Sequence, residues 1–157
     1  MTDNIGQVIH QNHFENPYQK ILIGLMVVNS RLEERQNVLL KRYDLSIQQY
    51  NLLRILRGQY PNQCTLQLVK ERMIDRMSDV SRIVERLRKN DFLTRVTKPM
   101  DRRAVDILIT EKGLALLKSI DQELDYFYQP IKKLSHEDTS HFAVLLEKLL
   151  DQVLETE

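Results

Sequence analysis

The sequence has one cysteine, Cys64, and no run of about 18 apolar residues, the length that reads as a membrane-spanning helix. A lone cysteine excludes an intrachain disulfide and is compatible with a reducing compartment. The N-terminal stretch lacks the basic and apolar regions of a signal peptide, so the expectation is a cytoplasmic protein with no membrane partner. A glycine-rich phosphate loop and a nucleophile elbow are also missing, as are internal repeats and low-complexity segments. Histidines are few. His136-Glu137 with His141 has the residue types of a zinc-protease helix, but its histidines are five apart, which turns the second imidazole about 140° from the first. His10 and His13 fall in a lead-in without sustained periodicity. The reading is a non-enzymatic protein that needs no metal and no cofactor.

Excess charge is missing too: the formal net charge is +1. Its distribution is uneven. Residues 76–103 carry nine Lys/Arg against four acids, a local +5, whereas residues 104–157 carry five bases against eleven acids, a local −6. Such a chain can present a DNA-attracting surface in its middle while its acidic end is repelled from a duplex. With 42% hydrophobic and 29% charged residues, the 157-residue chain can bury a core as a single domain, 1–157.

From Pro17, a favourable first-turn residue, Tyr18, Ile21, Leu22, Leu25, Val28 and Leu32 follow helical spacing toward Leu39. This apolar stripe is wider than one neighbouring helix would cover, which points to a second subunit. Ser46-Ile47-Gln48-Gln49 is a capping box, with Leu45 and Tyr50 placed as a hydrophobic staple, and it opens a second helix ending near Gly58. Thr65 caps a third helix. A fourth, about 77–89, buries Val80, Ile83, Val84 and Leu87, with its N-cap at Asp75 or Ser78. Its other face shows Arg76, Ser78, Asp79, Ser81, Arg82, Glu85 and Arg86, side chains suited to phosphates and base edges. Two strands follow, Phe92 to Val96 and Arg103 to Ile109, around a basic tip. Thr110 caps a fifth helix running through Leu117 and Leu124 to Ile131, with Pro130 bending or ending it. Ser135 opens a sixth, striped by Phe142, Leu145, Leu146, Leu149, Leu150 and Val153.

Residues 68–113 resemble the winged helix-turn-helix of the MarR (multiple antibiotic resistance regulator) family of bacterial transcription factors. The resemblance is carried by Asp101-Arg102-Arg103 and, at the matching distance, Ile109-Thr110-Glu111-Lys112-Gly113, since the family wing reads Asp-x-Arg and its exit Leu-Thr-x-x-Gly. Two departures are Ile109 for the usual Leu, and Asp91 where a glycine usually ends the recognition helix, which bears on local strain. The resemblance implies a mainly α fold with a small β-hairpin wing, six helices, and dimerisation through the N- and C-terminal helices. It implies a DNA-binding lobe over 46–109, with the recognition helix in a major groove and a wing, 93–109, at a minor groove. Residues 17–45 and 110–154 would form the helical dimerisation region.

The function implied is a homodimeric, sequence-specific regulator of a pseudo-palindromic double-stranded operator, a repressor released by a small-molecule effector. Candidate DNA contacts are Arg76, Ser78, Asp79, Ser81, Arg82, Lys98, Asp101, Arg102 and Arg103. Arg103 is assigned to the minor groove by the resemblance, with Asp101 orienting it through a charge-assisted bond. Asp79 fits poorly beside phosphate unless it accepts from a cytosine amino group or pairs with Arg76 or Arg82. Tyr18, Met26, Tyr43 and Tyr50 are candidate effector-lining residues, though such residues at helical spacing commonly belong to a core. Two other readings compete: a helical protein-interaction module that leaves the basic hairpin unused, and a thiol sensor at Cys64, which lacks a second cysteine to resolve a sulfenic acid.

Overall fold

The computed structural model describes residues 5–11, 13–98 and 101–155, with the side chains of residues 97–98 and 101–105 outside the description. The described residues fall into two compact units, Met1–Asp121 and Gln122–Glu157.

The first unit begins with a short helix, α1 (Ile5–Val8), in what periodicity reads as a loose lead-in. The long helix α2 (Pro17–Lys41) starts at Asn16, whose side chain accepts from the Gln19 N–H, with Pro17 in the first turn where its missing N–H costs nothing. Helix α3 (Ile47–Gln59) opens on the expected capping box: Ser46 Oγ accepts from Gln49 N, and Gln49 Oε1 accepts from Ser46 N. Leu45 and Tyr50, the expected staple, are both buried.

A two-residue strand, β1 (Cys64–Thr65), leads into α4 (Leu66–Arg72), where Thr65 Oγ1 accepts from Leu68 N. The next helix is α5 (Val80–Lys89), followed by β2 (Leu93–Lys98), β3 (Asp101–Ile109) and α6 (Glu111–Asp121). The sheet order is β1-β3-β2, antiparallel throughout, so the hairpin expected from sequence gains a third strand through Cys64↔Ile107 and Thr65↔Asp106. The hairpin strands also reach further toward the tip than expected, with a register irregularity between Thr97 and Lys98. Pro99 and Met100 lie outside the described residues.

The core of this unit sits where α3, α5 and the sheet meet. Leu52, Leu53, Val84, Leu87 and Ile107 are fully buried there, each contributing about 1.5–3 kcal/mol by leaving water. Leu117 and Ile120 of α6 are likewise fully buried. The Arg57–Asp121 ion pair at 2.5 Å and the bond from Tyr43 Oη to Ser119 O at 3.3 Å add polar ties to α6.

The second unit holds α7 (Leu124–Lys132) and α8 (His136–Glu155). The single fifth helix expected from periodicity is therefore two, α6 and α7, separated by Gln122 and Glu123. Pro130 lies within α7, which stops two residues later. Ser135 caps α8 as expected, its Oγ accepting from Asp138 N at 3.0 Å. Neither helix has a buried residue in the single chain, and α8 exposes Phe142, Leu145, Leu149, Leu150 and Val153 along one stripe. Among the described residues no helix is long and apolar enough to cross a membrane.

Candidate nucleic-acid interface

The recognition helix starts later than expected. Its N-cap is Asp79, whose Oδ1 accepts from Arg82 N at 3.1 Å, and neither Asp75 nor Ser78 takes that place. This accounts for a carboxylate among the expected contacts: Asp79 satisfies a helix-end N–H and complements the positive end of the helix dipole. Residues 77–79 accordingly belong to the approach to α5. Asp75 braces that approach, accepting from Met77 N at 3.0 Å and from the Ser78 hydroxyl at 2.9 Å, while Asn51 of α3 accepts from Ile74 N at 3.0 Å. The Ser78 proton is thus engaged within the turn, leaving its oxygen as an acceptor.

Ser81 and Arg82 lie exposed in the first turn of α5, and Arg86 is exposed one turn on. Val80, Val84 and Leu87 are buried and fix the rotation of the helix, so Ser81 and Arg82 face solvent by the same periodicity that seats the apolar side. Arg76 is exposed in the preceding turn.

Glu85 has a role that sequence reading missed. Its Oε1 lies 2.8 Å from Arg95 Nη2 on β2 and 3.2 Å from Arg88 Nε, so one carboxylate ties the recognition helix to the base of the hairpin. The hydrogen bond from Arg88 chiefly, with the nearby positive charges of Arg88, Arg95 and Lys89, holds the Glu85 carboxyl below the usual glutamate range. The signal in the sequence was limited to an i, i+3 spacing to Arg88, because the partner on β2 depends on the tertiary fold.

The base of the hairpin is locked by the sequence Ile109-Thr110-Glu111-Lys112-Gly113. Thr110 Oγ1 accepts from Gly113 N at 3.1 Å, capping α6, and donates to Asp91 O at 2.6 Å. Thr110 N donates to Phe92 O at 3.1 Å, and Lys112 Nζ donates to Asn90 O at 2.9 Å while lying over the Phe92 ring. Asp91, the departure at the end of the recognition helix, adopts φ 60°, the left-handed conformation that a glycine would take without strain. A polar cleft of about 500 Å³ lined by Arg88, Asp91, Leu93, Thr94, Arg95 and Thr110 opens at this junction.

The remaining expected contacts lie on the hairpin. Lys98 pairs with Asp101 across the strands, and Arg102 and Arg103 continue β3, which puts all four in the outer half of the wing by backbone position. Their side chains are outside the described residues.

The candidate effector residues are placed in different settings. Tyr18 is exposed on α2, Met26 lines a cleft of about 340 Å³ with Val8, Ile9 and Val27, Tyr43 donates to α6, and Tyr50 is buried in the α3 core. Cys64 is buried on β1, and burial chiefly, helped by the Asp106 carboxylate and opposed by Arg72, pushes its thiol above the ordinary value. A thiol raised in this way is less available as the thiolate.

A family model described as a winged helix DNA-binding domain matches residues 45–113. The chain is 25% identical over 136 residues to the HTH-type transcriptional regulator MhqR of Bacillus subtilis (strain 168), covering 83% of this chain and 89% of MhqR. It is 27% identical over 153 residues to the HTH-type transcriptional regulator PecS of Dickeya dadantii (strain 3937), covering 92% of each. Among solved structures, a MarR transcription factor from Planctomyces limnophilus matches with 26% identity and a TM-score of 0.65, over 92% of this chain and all of that one. The fold is shared with a MarR-like transcription regulator from Bacillus cereus ATCC 10987 (TM-score 0.77, 18% identity, 86% and 96% covered). It is shared equally with MepR of S. aureus in a DNA complex (TM-score 0.75, 19% identity, 89% and 99% covered). A capped helix, a hairpin backed by a third strand and these relatives converge: residues 45–113 are a winged helix DNA-binding domain, and the chain is similar over most of its length to transcriptional regulators, a MarR transcription factor among them.

Proposed function

We propose that the protein is a homodimeric repressor that occupies a pseudo-palindromic duplex site, with α5 in the major groove and the wing at the adjacent minor groove. The observation that carries this reading is the exposed first turn of α5, where Ser81 and Arg82 stand beside a cap that fixes the helix end. Recognition helices contact base edges mainly through their N-terminal residues. Arg82, Arg76, Lys98 and Arg102 supply phosphate contacts, Ser78 and Ser81 meet base edges, and Arg103 enters the minor groove with Asp101 as its orienting partner. Asp79 contributes by holding the helix end. The DNA-bound MepR supports this placement by its shared fold.

The lobe that binds is 46–109, and the segments 17–45 and 110–154 supply the dimer surface. Support comes from the apolar side chains that each leaves uncovered: Ile21, Leu22 and Met26 on α2, Tyr126 and Ile131 on α7, and the stripe on α8. Exposed apolar stripes of this kind on each segment mark association. A small-molecule effector releases the repressor, and of the four expected lining residues the exposed Tyr18 and Met26 on α2 are the ones open to it, Tyr43 being bonded to α6 and Tyr50 buried in the core. Action is by occupancy of DNA in the cytoplasm, without catalysis.

Binding to the DNA upstream of the protein's own gene, titrated across salt, tests the reading. Four to five phosphates neutralised per subunit give a log-log slope of roughly −7 to −9 for the dimer, at about −0.9 per phosphate. A slope near zero leaves an interaction module as the better description, and a single-chain mass in equilibrium sedimentation at micromolar concentration removes the dimer.

A further inference from the structure

The turn between α4 and α5 presents two large apolar side chains to solvent: Ile74 is 86% exposed and Met77 93%. Single exposed apolar residues are ordinary on a protein surface. These two differ in how they are held. Met73, buried at the end of α4, anchors the start of the turn. Asn51 on α3 then accepts from the Ile74 N–H, and Asp75 accepts from the Met77 N–H and the Ser78 hydroxyl. The backbone is fixed from the core outward, so the two side chains project from a prepared turn. Ordering costs that binding would otherwise incur are reduced at such a site.

The surroundings identify the occupant. Arg72 and Arg76 beside the pair, and Arg82 in the first turn of α5, are exposed, and the three acids interleaved with them are engaged within the protein, Glu71 by Gln67, Asp75 by Met77 N and the Ser78 hydroxyl, and Asp79 by Arg82 N. Guanidinium groups around an apolar contact suit a groove with phosphate walls. The apolar group that a duplex offers in the major groove is the C5 methyl of thymine. Met77 stands two residues ahead of the Asp79 cap, at the end of the recognition helix that meets base edges.

We propose that Ile74 and Met77 are specificity-determining residues that pack against thymine methyl groups at the margin of the site read by α5. This rests on the DNA-binding mode described above. It extends recognition beyond hydrogen-bonding side chains to an apolar readout that distinguishes thymine from every base lacking the methyl.

The test uses the full chain and a duplex selected by it from a random pool. Each thymine of one half-site is replaced in turn by deoxyuridine, which keeps the base pair and removes only the methyl. The parent is expected to lose about fourfold in affinity at one or two positions, the equivalent of one buried methyl group. Met77→Ala or Ile74→Ala is expected to bind the thymine duplex more weakly and to be indifferent to deoxyuridine at its own position. Arg82→Ala is expected to keep that discrimination while binding more weakly overall. The proposal is overturned if the parent ignores deoxyuridine at every thymine, or if both apolar variants keep the parent's thymine preference. If no duplex is selected from the pool, the DNA-binding mode itself has failed and this proposal falls with it, a result distinct from selection without methyl discrimination.

Discussion

The carbonyl oxygen of Phe92 lies 2.3 Å from the point that a β-carbon on Gly113 would occupy, with Ile109 Cγ1 at 2.8 Å from the same point. Helix propensity favours alanine over glycine by about 1 kcal/mol within a helix. The clash wins, because the nearest atom is backbone and is itself hydrogen-bonded to Thr110 N. Gly113→Ala is therefore expected to destabilise the protein by about 1–3 kcal/mol, the usual cost of overpacking. Urea denaturation checks this, and an unchanged or raised midpoint would show that the junction yields.

Asp79 is expected to matter through its oxygen more than its charge. Asp79→Ala removes the acceptor for Arg82 N and should cost about 0.5–2 kcal/mol of stability. Asp79→Asn keeps an acceptor and should stay close to the parent in denaturation. Equal losses in both variants would mean that the charge, and not the cap, carries the effect.

The Glu85 carboxylate is stabilised in the folded state by Arg88, with Arg95 also in contact. Its folded pKa lies below the unfolded value, so its contribution is present above the unfolded pKa of about 4.3 and is lost as pH falls through the folded pKa. The expected outcome is a carboxyl midpoint below the ordinary glutamate value by NMR titration, and a shallower acid limb of stability in Glu85→Gln. A midpoint at or above the ordinary glutamate value contradicts the bridge between α5 and β2.

On the wing, Arg103→Ala is expected to weaken operator binding by about 1–3 kcal/mol, with Asp101→Ala costing less, since it removes only an orienting partner. Ser81→Ala should relax preference at one or two operator positions, because a hydroxyl reads base edges without adding net charge. Each variant is compared on operator and scrambled duplex at fixed salt, with helicity followed by circular dichroism. Parent-like operator binding by Arg103→Ala would return the wing tip to an ordinary solvated turn.

Features written in neighbouring residues were legible from sequence. Ser46, Thr65, Thr110 and Ser135 all cap helices because each bond closes within three residues of its donor. The start of α5 was misplaced because Asp75, Ser78 and Asp79 are all competent caps; in the fold Asp75 accepts from Met77 N and the Ser78 hydroxyl, and Asp79 takes the cap. Strand β1 escaped because two residues carry no alternation, and their partners lie on β3. The division of α6 from α7 escaped because apolar spacing carries across a two-residue interruption. On the interface, the exposed arginines followed from periodicity, whereas the Glu85–Arg95 bridge and the Asn51–Ile74 bond under the turn are tertiary facts.

The hydroxyl of Thr110 gives its proton to the last turn beyond α5 and its lone pair to the first turn of α6, with Lys112 adding a second bond to Asn90. Mechanically this is a rivet joining two rods end to end. A displacement of α6 would therefore bear on the residues at the end of α5 and the start of β2. Thr110→Val keeps the Thr110 N–Phe92 O and Lys112–Asn90 bonds and loses only the hydroxyl's two, so it is expected to fold with a loosened junction between α5 and α6.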